Sequence, residues 1–419
     1  MKSFFCIAIA FHFVFCAFSQ NDSINGQKVF VQQDIKDWMV RQKWVKKKPE
    51  KNNFLLFIPV IASNPSAGFI FGTGLSYAFK ANPANERFSA VSANATYSTK
   101  KQVNLNVKSN VFAMKEKLLL NGDWRYMVFT ESTYGLGTNT KGDSTGYNFD
   151  INGINTNEEA YSQTLRYNQY RIHETGSWLL FPNFFAGIGV HFDRHDHIVD
   201  QKVEEGYPDS SYHYRYNVKH GFNPDGYTTM GASLNLLYDS RDNQVYAYKG
   251  YYANINFRMN TTALGSAQNS TVLLAEYRSF HSLDRGKNRH QLALWFFTNI
   301  VTSGNLPYLD LPAIGYDQRQ KSGRGYSFGR FRGEGIVYQE TEYRFPISKN
   351  TGILGGVLFL NVTSTSDEDN NTKLLEYFRA GYGGGLRIML DKKSKTRLQI
   401  DAGIANRKFG FYFGAQETF

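Results

Sequence analysis

Two short stretches have the residue spacing of a serine nucleophile. GDSTG (142–146) and GYSFG (325–329) both match the G-x-S-x-G pattern, in which a strained strand-to-helix turn lifts the serine above a parallel sheet. Neither stretch precedes a helical pattern, and chance matches are expected in a chain with 37 glycines. The sequence therefore predicts no catalytic residue and no enzyme, and a membrane esterase using Ser144 or Ser327 remains a third alternative.

A histidine-rich segment could bind a metal ion. VHFDRHDHIVD (190–200) contains His191, His195 and His197. Alternate residues of a strand share one face, so that two imidazoles could meet one ion. A polar strand end that runs into an exposed loop accounts for the same residues, and no spacing of supporting groups favours the metal. We therefore predict no metal and no cofactor, and the histidines leave the question of metal open.

A third group of charged residues lies in LLYDSRDNQVYAYKG (236–250). Its carboxylates, Asp239 and Asp242, could serve acid–base chemistry. A turn between two strands explains them better, because Arg241 can pair with the carboxylates while their oxygens cap backbone donors. We therefore predict a structural turn here.

The segment KSGRGYSFGRFRGEG (321–335) combines arginine, glycine and aromatic residues without any apolar period. Such a composition suits a nucleic-acid-binding tail or a loop packed inside a larger structure. The start of the chain bears on this choice, because Lys2, the apolar stretch 4–18 and a small-x-small site before Gln20 predict a signal peptide over residues 1–19. An exported protein with a net charge of +11 is expected to meet anionic lipid rather than nucleic acid.

Composition excludes several classes of protein. The cysteines, Cys6 and Cys16, both lie within the predicted signal peptide, so the mature chain cannot be a disulfide scaffold or a cysteine-ligated metal protein. The mean hydropathy is −0.44, and no second run of 18 apolar residues exists, which excludes helical membrane spans. With 34 Phe and 27 Tyr, the chain favours strands that have one apolar and one polar face.

Period-two alternation recurs from Gly68 to the end of the chain, as in RLQIDAGI (397–404). Many segments run longer than the ~5–6 residues of ordinary strands and reach the ~9–11 that a tilted membrane strand needs. Sixteen strands are predicted, over residues 68–80, 87–99, 101–113, 116–129, 133–141, 160–174, 178–194, 227–239, 248–260, 268–281, 289–302, 335–346, 352–364, 376–391, 396–405 and 408–419.

Connections alternate between short turns and long polar loops, which is the layout of an outer-membrane barrel. Closing the sheet removes the edges whose unpaired backbone groups would cost several kcal/mol each in lipid. The sequence therefore predicts an all-β fold, a transmembrane antiparallel β-barrel over 54–419. Residues 20–53 are predicted as a periplasmic linker with a short amphipathic helix ending before Pro49, serving as an interfacial anchor, a plug or a rim linker. A soluble β-sandwich or solenoid is the alternative fold.

Four segments in order resemble the BamA/TamA-type bacterial surface-antigen barrel family. They are IPVIASNPSAGFIFGTGLSYAF, YDSRDN…KG, GRGYSFGRFRGEGIVYQETEYRFPI and the last strand ending in Phe419. The resemblance implies that Arg324, Gly325 and Tyr326 belong to a loop that folds into the lumen. It also implies that the arginine pairs with carboxylates of the inner wall, for which Glu340 and Glu342 are the candidates because Asn361 stands where the family often has an acid.

The same resemblance implies function and partners. Phe411, Phe413 and Phe419 match the assembly signal that barrel-insertion machinery recognises, and 239–242 match the mid-barrel turn. Residues 20–53 cannot hold a POTRA domain, so a barrel-only member of the Gram-negative outer membrane is expected. It would assist insertion or translocation of proteins or lipids through a weak seam between strands 68–80 and 408–419. Its partners would be outer-membrane lipids, the assembly machinery, and client proteins or other subunits. The alternative is a passive pore or an accessory subunit of an outer-membrane complex.

Overall fold

Antiparallel strands make up more than half of the structure. The computed structural model describes residues 32–46, 52–64, 68–82, 84–140, 148–151, 154–155, 161–284, 290–348, 350–406, 408–414 and 417–419. The predicted signal peptide and Ser144 lie outside these residues. No helix among them is both long and apolar enough to cross a membrane.

The elements follow one another along the chain with few helices. In the described part of the chain, the α-helices are α1 (Ile35–Arg41), α2 (Gln201–Glu204) and α3 (Tyr212–Lys219). The strands are β1 (Asn53–Asn64), β2 (Gly68–Phe79), β3 (Ser89–Ser98), β4 (Val103–Ala113), β5 (Leu118–Thr133), β6 (Asn148–Ile151), β7 (Ile154–Asn155), β8 (Gln163–Phe181), β9 (Phe184–Asp200), β10 (Gly226–Asp239), β11 (Gly250–Asn260), β12 (Ser270–Ser282), β13 (Gln291–Gly304), β14 (Gly335–Pro346), β15 (Leu354–Thr365), β16 (Arg379–Asp391), β17 (Thr396–Ala405) and β18 (Lys408–Gly414). Single 3₁₀ turns lie at Pro208–Ser210, Thr262–Leu264 and Tyr308–Asp310.

Each long strand pairs antiparallel with the next along the chain. The pairing runs from β1 to β5, then from β5 to β8, and continues without interruption from β8 to β18. The short β6 and β7 form a hairpin inside the long connection between β5 and β8. Among the described residues, sixteen strands of seven or more residues build the sheet, which confirms the predicted fold class.

The sixteen observed strands differ from the sixteen predicted strands at two places. The predicted strand 133–141 is wrong, because β5 ends at Thr133 and residues 134–140 are turns and loop. A strand at 53–64 was not predicted, and its full pairing with β2 restores the even count. Period-two alternation does not indicate this strand, because Leu55 and Phe57 on one face and Leu56 and Ile58 on the other are all apolar.

Side chains are distributed opposite to those of a soluble sheet. On β14, Tyr338, Glu340, Glu342 and Arg344 are buried in the interior, while the residues between them lie on the outer face. Exposed residues include many large apolar side chains, such as Ile188 at 70%. A polar interior enclosed by an apolar exterior is stable only where the exterior meets lipid.

Helix α1 lies against the short-turn end of the barrel. The backbone N–H of Gln33 donates to the Thr351 carbonyl at 2.9 Å, and the N–H of Lys392 donates to Asp34 Oδ2 at 3.1 Å. Asp34 and Asp37 form a capping box that begins the helix. The helix is shorter than predicted because Lys43 adopts a left-handed φ of 62°.

Candidate functional site

The connection between β13 and β14, residues 305–334, folds into the barrel lumen. Gly323 and Gly325 have φ of 81° and 102°, a conformation that L side chains rarely adopt. The approach to the wall is equally restrictive, because a Cβ on Gly325 would lie 2.9 Å from the Ala405 Cβ of β17. These two glycines therefore set both the turn of the loop and its contact with the wall.

Arg324, between the two glycines, is fully buried among three carboxylates. Its guanidinium donates to Glu340 and Glu342 of β14, and its Nη1 lies 2.6 Å from Asp401 Oδ2 of β17. Its Cζ also lies 3.6 Å from the centroid of the Phe359 ring. The expectation that the pairing rests on Glu340 and Glu342 alone is wrong, since Asp401 supplies a third carboxylate.

Further charged groups extend this arginine site. Arg344 Nε donates to Glu342 Oε2 at 2.6 Å. Arg387 of β16 donates to Asp401 and, through Nε, to Glu417 Oε2 at 2.7 Å. The three arginines thus share four buried carboxylates, so every charge has an opposite partner although little water reaches it.

Neutral side chains hold the loop backbone. The Gly325 N–H donates to the Tyr412 hydroxyl of β18 at 2.7 Å, and the Gly323 N–H donates to the Tyr338 hydroxyl at 3.0 Å. Asn361 Nδ2 donates to the Arg324 carbonyl at 2.9 Å. Asn361 stands where an acid is usual in the resembled family, and it contacts the backbone of the loop instead of its guanidinium.

Tyr326 completes the site at the next strand. Its hydroxyl donates to the Ala380 carbonyl at 2.8 Å, and its ring packs edge-on against Phe331 with centroids 4.9 Å apart. The loop tip is therefore bonded to β14, β15, β16, β17 and β18. Sequence reasoning missed Asp401, Arg387 and Tyr412, although the alternation in 397–404 already placed Asp401 on a polar face.

The candidate metal histidines are not brought together. His191 and His195 are buried in the lumen, whereas His197 has a φ of 51° and points outward with its side chain 80% exposed. His191 Nε2 lies 2.7 Å from Ser233 Oγ, and His195 Nδ1 lies 3.3 Å from Asp310 Oδ1. Within the residues that the structure describes, no three histidine or carboxylate side chains are placed to share an ion.

Asp193 lies between these histidines and has a different role. It accepts from Arg171 Nε at 2.6 Å, from Arg258 Nη1 at 2.9 Å, and contacts His173 Nε2 at 2.7 Å. Burial raises the pKa of Asp310, on the loop facing this group, and the Asp193 carboxylate adds to that shift. The cluster therefore forms a polar cross-link between β8, β9 and β11.

The turn at 239–242 is a rigid charged hairpin end. Arg241 donates from Nε and Nη2 to both oxygens of Asp239, each at 2.8 Å, in a buried fork. Asp242 accepts from the backbone N–H of Tyr248 at 2.7 Å and pairs with Lys395 at 2.8 Å. Both carboxylates are fully engaged in holding the turn.

The end of the chain departs from the predicted strand. β18 ends at Gly414, where 408–419 was expected. Phe411 and Phe413 face outward, 42% and 50% exposed, whereas Phe419 is buried and stacks on Trp295 with centroids 5.4 Å apart. Phe419 leaves the outer face because Glu417 binds Arg387 in the lumen and carries the following residues inward.

The seam of the barrel lies between β1 and β18. The expected seam between 68–80 and 408–419 is wrong, because β2 pairs with β1 on one side and β3 on the other. In the described part of the chain, no register joins β1 to β18, and β18 instead pairs in parallel with β6 along Lys408–Phe411. Pro59, in the middle of β1, lacks a backbone N–H and marks an edge strand, a signal present in the sequence.

The serine of the second nucleophile-like motif does not lie on a strand-to-helix turn. Ser327 is buried in the 305–334 loop, and its carbonyl accepts from the Arg330 N–H at 3.2 Å. The residues after it form further turns before β14 begins at Gly335.

A sixteen-strand antiparallel sheet with an apolar exterior and an arginine-centred lumen defines a transmembrane β-barrel of the outer-membrane type. The model of the Omp85 superfamily domain matches residues 70–419. The chain therefore belongs to the Omp85 superfamily, which confirms the resemblance predicted from its motifs.

One solved structure shows the same fold at low identity, and a second is reported with it. BamA from Haemophilus ducreyi lacking POTRA domains 1-3 is 12% identical with a TM-score of 0.51, and the match covers 85% of this chain and 67% of that one. CdiB from Acinetobacter baumannii is 11% identical with a TM-score of 0.48, and the match covers 84% of this chain and 56% of CdiB. No curated protein matches this chain.

Proposed function

We propose that this barrel assists insertion or translocation of proteins or lipids at the outer membrane, using the seam between β1 and β18. The observation that carries the proposal is that, among the described residues, β1 pairs with β2 but not with β18, which is seven residues long. A strand edge in lipid costs several kcal/mol per unpaired group, so such an edge favours a transient partner. A strand or an amphiphile that enters the seam would supply that partner.

The arginine site supports this function by keeping the barrel intact while its seam is weak. Arg324 joins β14 to β17 through the lumen, and Gly325 adds β18 through Tyr412. These contacts hold the strands next to the seam without backbone pairing to β1. A passive pore is less well supported, because the 305–334 loop and Phe419 occupy the lumen.

Depletion of the protein in cells tests the proposal. Loss of other outer-membrane proteins, measured by quantitative proteomics of isolated outer membranes, is the expected result. Unchanged protein levels with altered uptake of small hydrophilic dyes would contradict it and favour the pore. Hydrolysis of a model ester that disappears with Ser327→Ala would instead favour the esterase.

A further inference from the structure

A cavity of about 670 Å³ lies between the seam and the lumen wall. One side is formed by Ile58 and Val60 of β1 and by Tyr412 and Phe413 of β18, the two strands that flank the seam. The volume lies within the ~300–1,000 Å³ range of ligand pockets. The cavity therefore reaches from the polar lumen to the strand edges that adjoin the membrane.

The deep wall of this cavity carries three basic side chains. They are Lys108 of β4 and Arg319 and Lys321 of the lumen loop, and all three are half-buried. Among the described residues, no carboxylate lies within ion-pair distance of them; Lys108 Nζ donates to the neutral Gln320 Oε1 at 3.0 Å. Their charge is thus available to a ligand.

The carboxylates nearby are already engaged. Glu417, which also lines the cavity, binds Arg387. Asp317 accepts from the backbone N–H groups of Arg319 and Lys321 at 3.1 and 3.2 Å and so shapes the loop. Asp123 pairs with Arg125 at 2.7 Å.

Two further arginines line the cavity, and both are paired. Arg241 binds Asp239, and Arg278 Nε donates to Glu276 at 2.8 Å. The wall as a whole is therefore positive toward the cavity, because the unpaired groups are all cations.

The side next to the seam is apolar on both faces of β1. Leu56, Ile58 and Val60 alternate toward the interior, where β-barrels of this class usually have polar residues. Across the sheet, Ile58 faces Gly74 and Val60 faces Gly72, so the positions of β2 directly opposite them carry no side chain. An apolar strip thus adjoins a cationic wall within one cavity.

We infer that this cavity binds an anionic phospholipid, with its phosphate against Lys108, Arg319 and Lys321 and its acyl chains along β1 at the seam. Charge complementarity selects the headgroup, and the apolar strip of β1 selects an amphiphile over a free anion. The inference deepens the proposed function by naming the class of ligand that occupies the seam.

The test uses the full chain purified in detergent and titrated with phosphatidylglycerol or with phosphatidylcholine of the same acyl chains. Native mass spectrometry counts the lipids retained per chain. We expect one phosphatidylglycerol to bind at least tenfold more tightly than phosphatidylcholine. In the double variant Lys108→Gln and Lys321→Gln this preference should fall tenfold, whereas Lys373→Gln, an exposed outer-loop control, should retain it.

Equal retention of the two lipids, or an unchanged preference in the double variant, would overturn the inference. Inorganic phosphate that displaces the lipid at equal concentration would also overturn it, because the site would then select the anion alone. If the double variant fails to fold, judged by heat-modifiable gel mobility, Arg319→Gln provides the same comparison. The assay measures lipid binding to the purified protein and needs no cellular activity. The lipid site can therefore be confirmed even if depletion leaves outer-membrane proteins unchanged and so contradicts the proposed function.

Discussion

Arg324 is the residue on which the lumen site depends most. It is buried, and its guanidinium is shared by Glu340, Glu342 and Asp401. Removal of one partner of a buried ion pair leaves uncompensated charge, which costs roughly 3–5 kcal/mol. A buried ion pair is not more stable than well-packed apolar residues of similar volume. The arginine is therefore best understood as a residue that fixes the position of the loop.

We therefore predict that Arg324→Ala lowers barrel stability by roughly 3–5 kcal/mol. The loss should appear as heat-modifiable gel mobility that disappears at a lower temperature. Arg324→Lys should recover only part of it, because an ammonium cannot reproduce the fork that meets several carboxylates. Arg194→Ala, which removes an exposed arginine paired with Asp196, serves as the control and should change mobility little.

Glu334, just before β14, gives a prediction about pH. Burial raises its pKa to about 7, and Asp367 and Glu368 add to the shift. Since the folded pKa exceeds that of an unfolded glutamate, the outer loops lose stability as pH rises from about 4.5 through 7, by roughly 1–2 kcal/mol. Limited proteolysis of the loops should be faster at pH 8 than at pH 5.5.

Glu334→Gln should remove this difference, because the amide keeps hydrogen bonding to Ser366 and the Glu368 N–H possible without a charge. Glu376→Gln, an exposed outer-loop residue, is the matched control and should keep the wild-type difference. Proteolysis of the Glu334→Gln protein that still accelerates at pH 8 would argue against this titration.

At the scale of elements, the lumen loop and strand β17 approach each other closely at Gly325. A Cβ at Gly325 would meet Ala405 of β17 at 2.9 Å, whereas one at Gly265 would meet nothing within 4 Å. Both glycines have nearly the same φ, 102° and 101°. Backbone strain is therefore equal in the two, at roughly 1–2 kcal/mol, and only the contact differs.

We predict that Gly325→Ala destabilises the barrel clearly more than Gly265→Ala. The difference between the two unfolding midpoints in urea measures the loop–wall contact without the strain. Equal midpoints would show that β17 yields to the loop and that the lumen site is looser than its hydrogen bonds imply.

Sequence reasoning located most strands but missed β1 at the seam. Alternation found the strands that separate water from lipid, such as the one containing Asp401. It failed at β1, where Leu55, Leu56 and Phe57 place apolar groups on both faces. A sequence alternates only where the two faces of a strand meet different environments. Both faces of β1 are apolar, so its sequence shows no alternation.

The lumen site was predictable only in part for a related reason. Glu340 and Glu342 are near the loop in sequence and share a polar face, which made them candidates. Asp401 and Tyr412 meet the loop through barrel closure, a contact that no local pattern encodes. Phe419 does not continue the predicted strand 408–419 because Glu417 binds Arg387, a pairing visible only in three dimensions.

At the scale of the whole molecule, the contacts that stabilise the barrel and the seam at which we propose that it opens lie in different places. Pairing runs unbroken from β1 to β5 and, through β8, to β18, and the arginine site fastens β14 to β18 across the lumen. Among the described residues, no register joins β1 to β18, and β6 pairs with β18 along Lys408–Phe411. We therefore propose that the barrel opens at the seam without unfolding elsewhere.

Locking the seam tests this division most directly. The natural cysteines lie at positions 6 and 16, within the predicted signal peptide. Cysteines introduced at Pro59 and Phe413 can therefore be joined by a bifunctional thiol reagent. The experiment uses cells in which this variant is the sole source of the protein. Cysteines at Val190 and Ala232, which face each other on the paired strands β9 and β10, form the control. We predict that the seam crosslink lowers outer-membrane protein levels or lipid delivery severalfold while the control crosslink leaves both unchanged. Full activity in the seam-locked barrel would contradict the account.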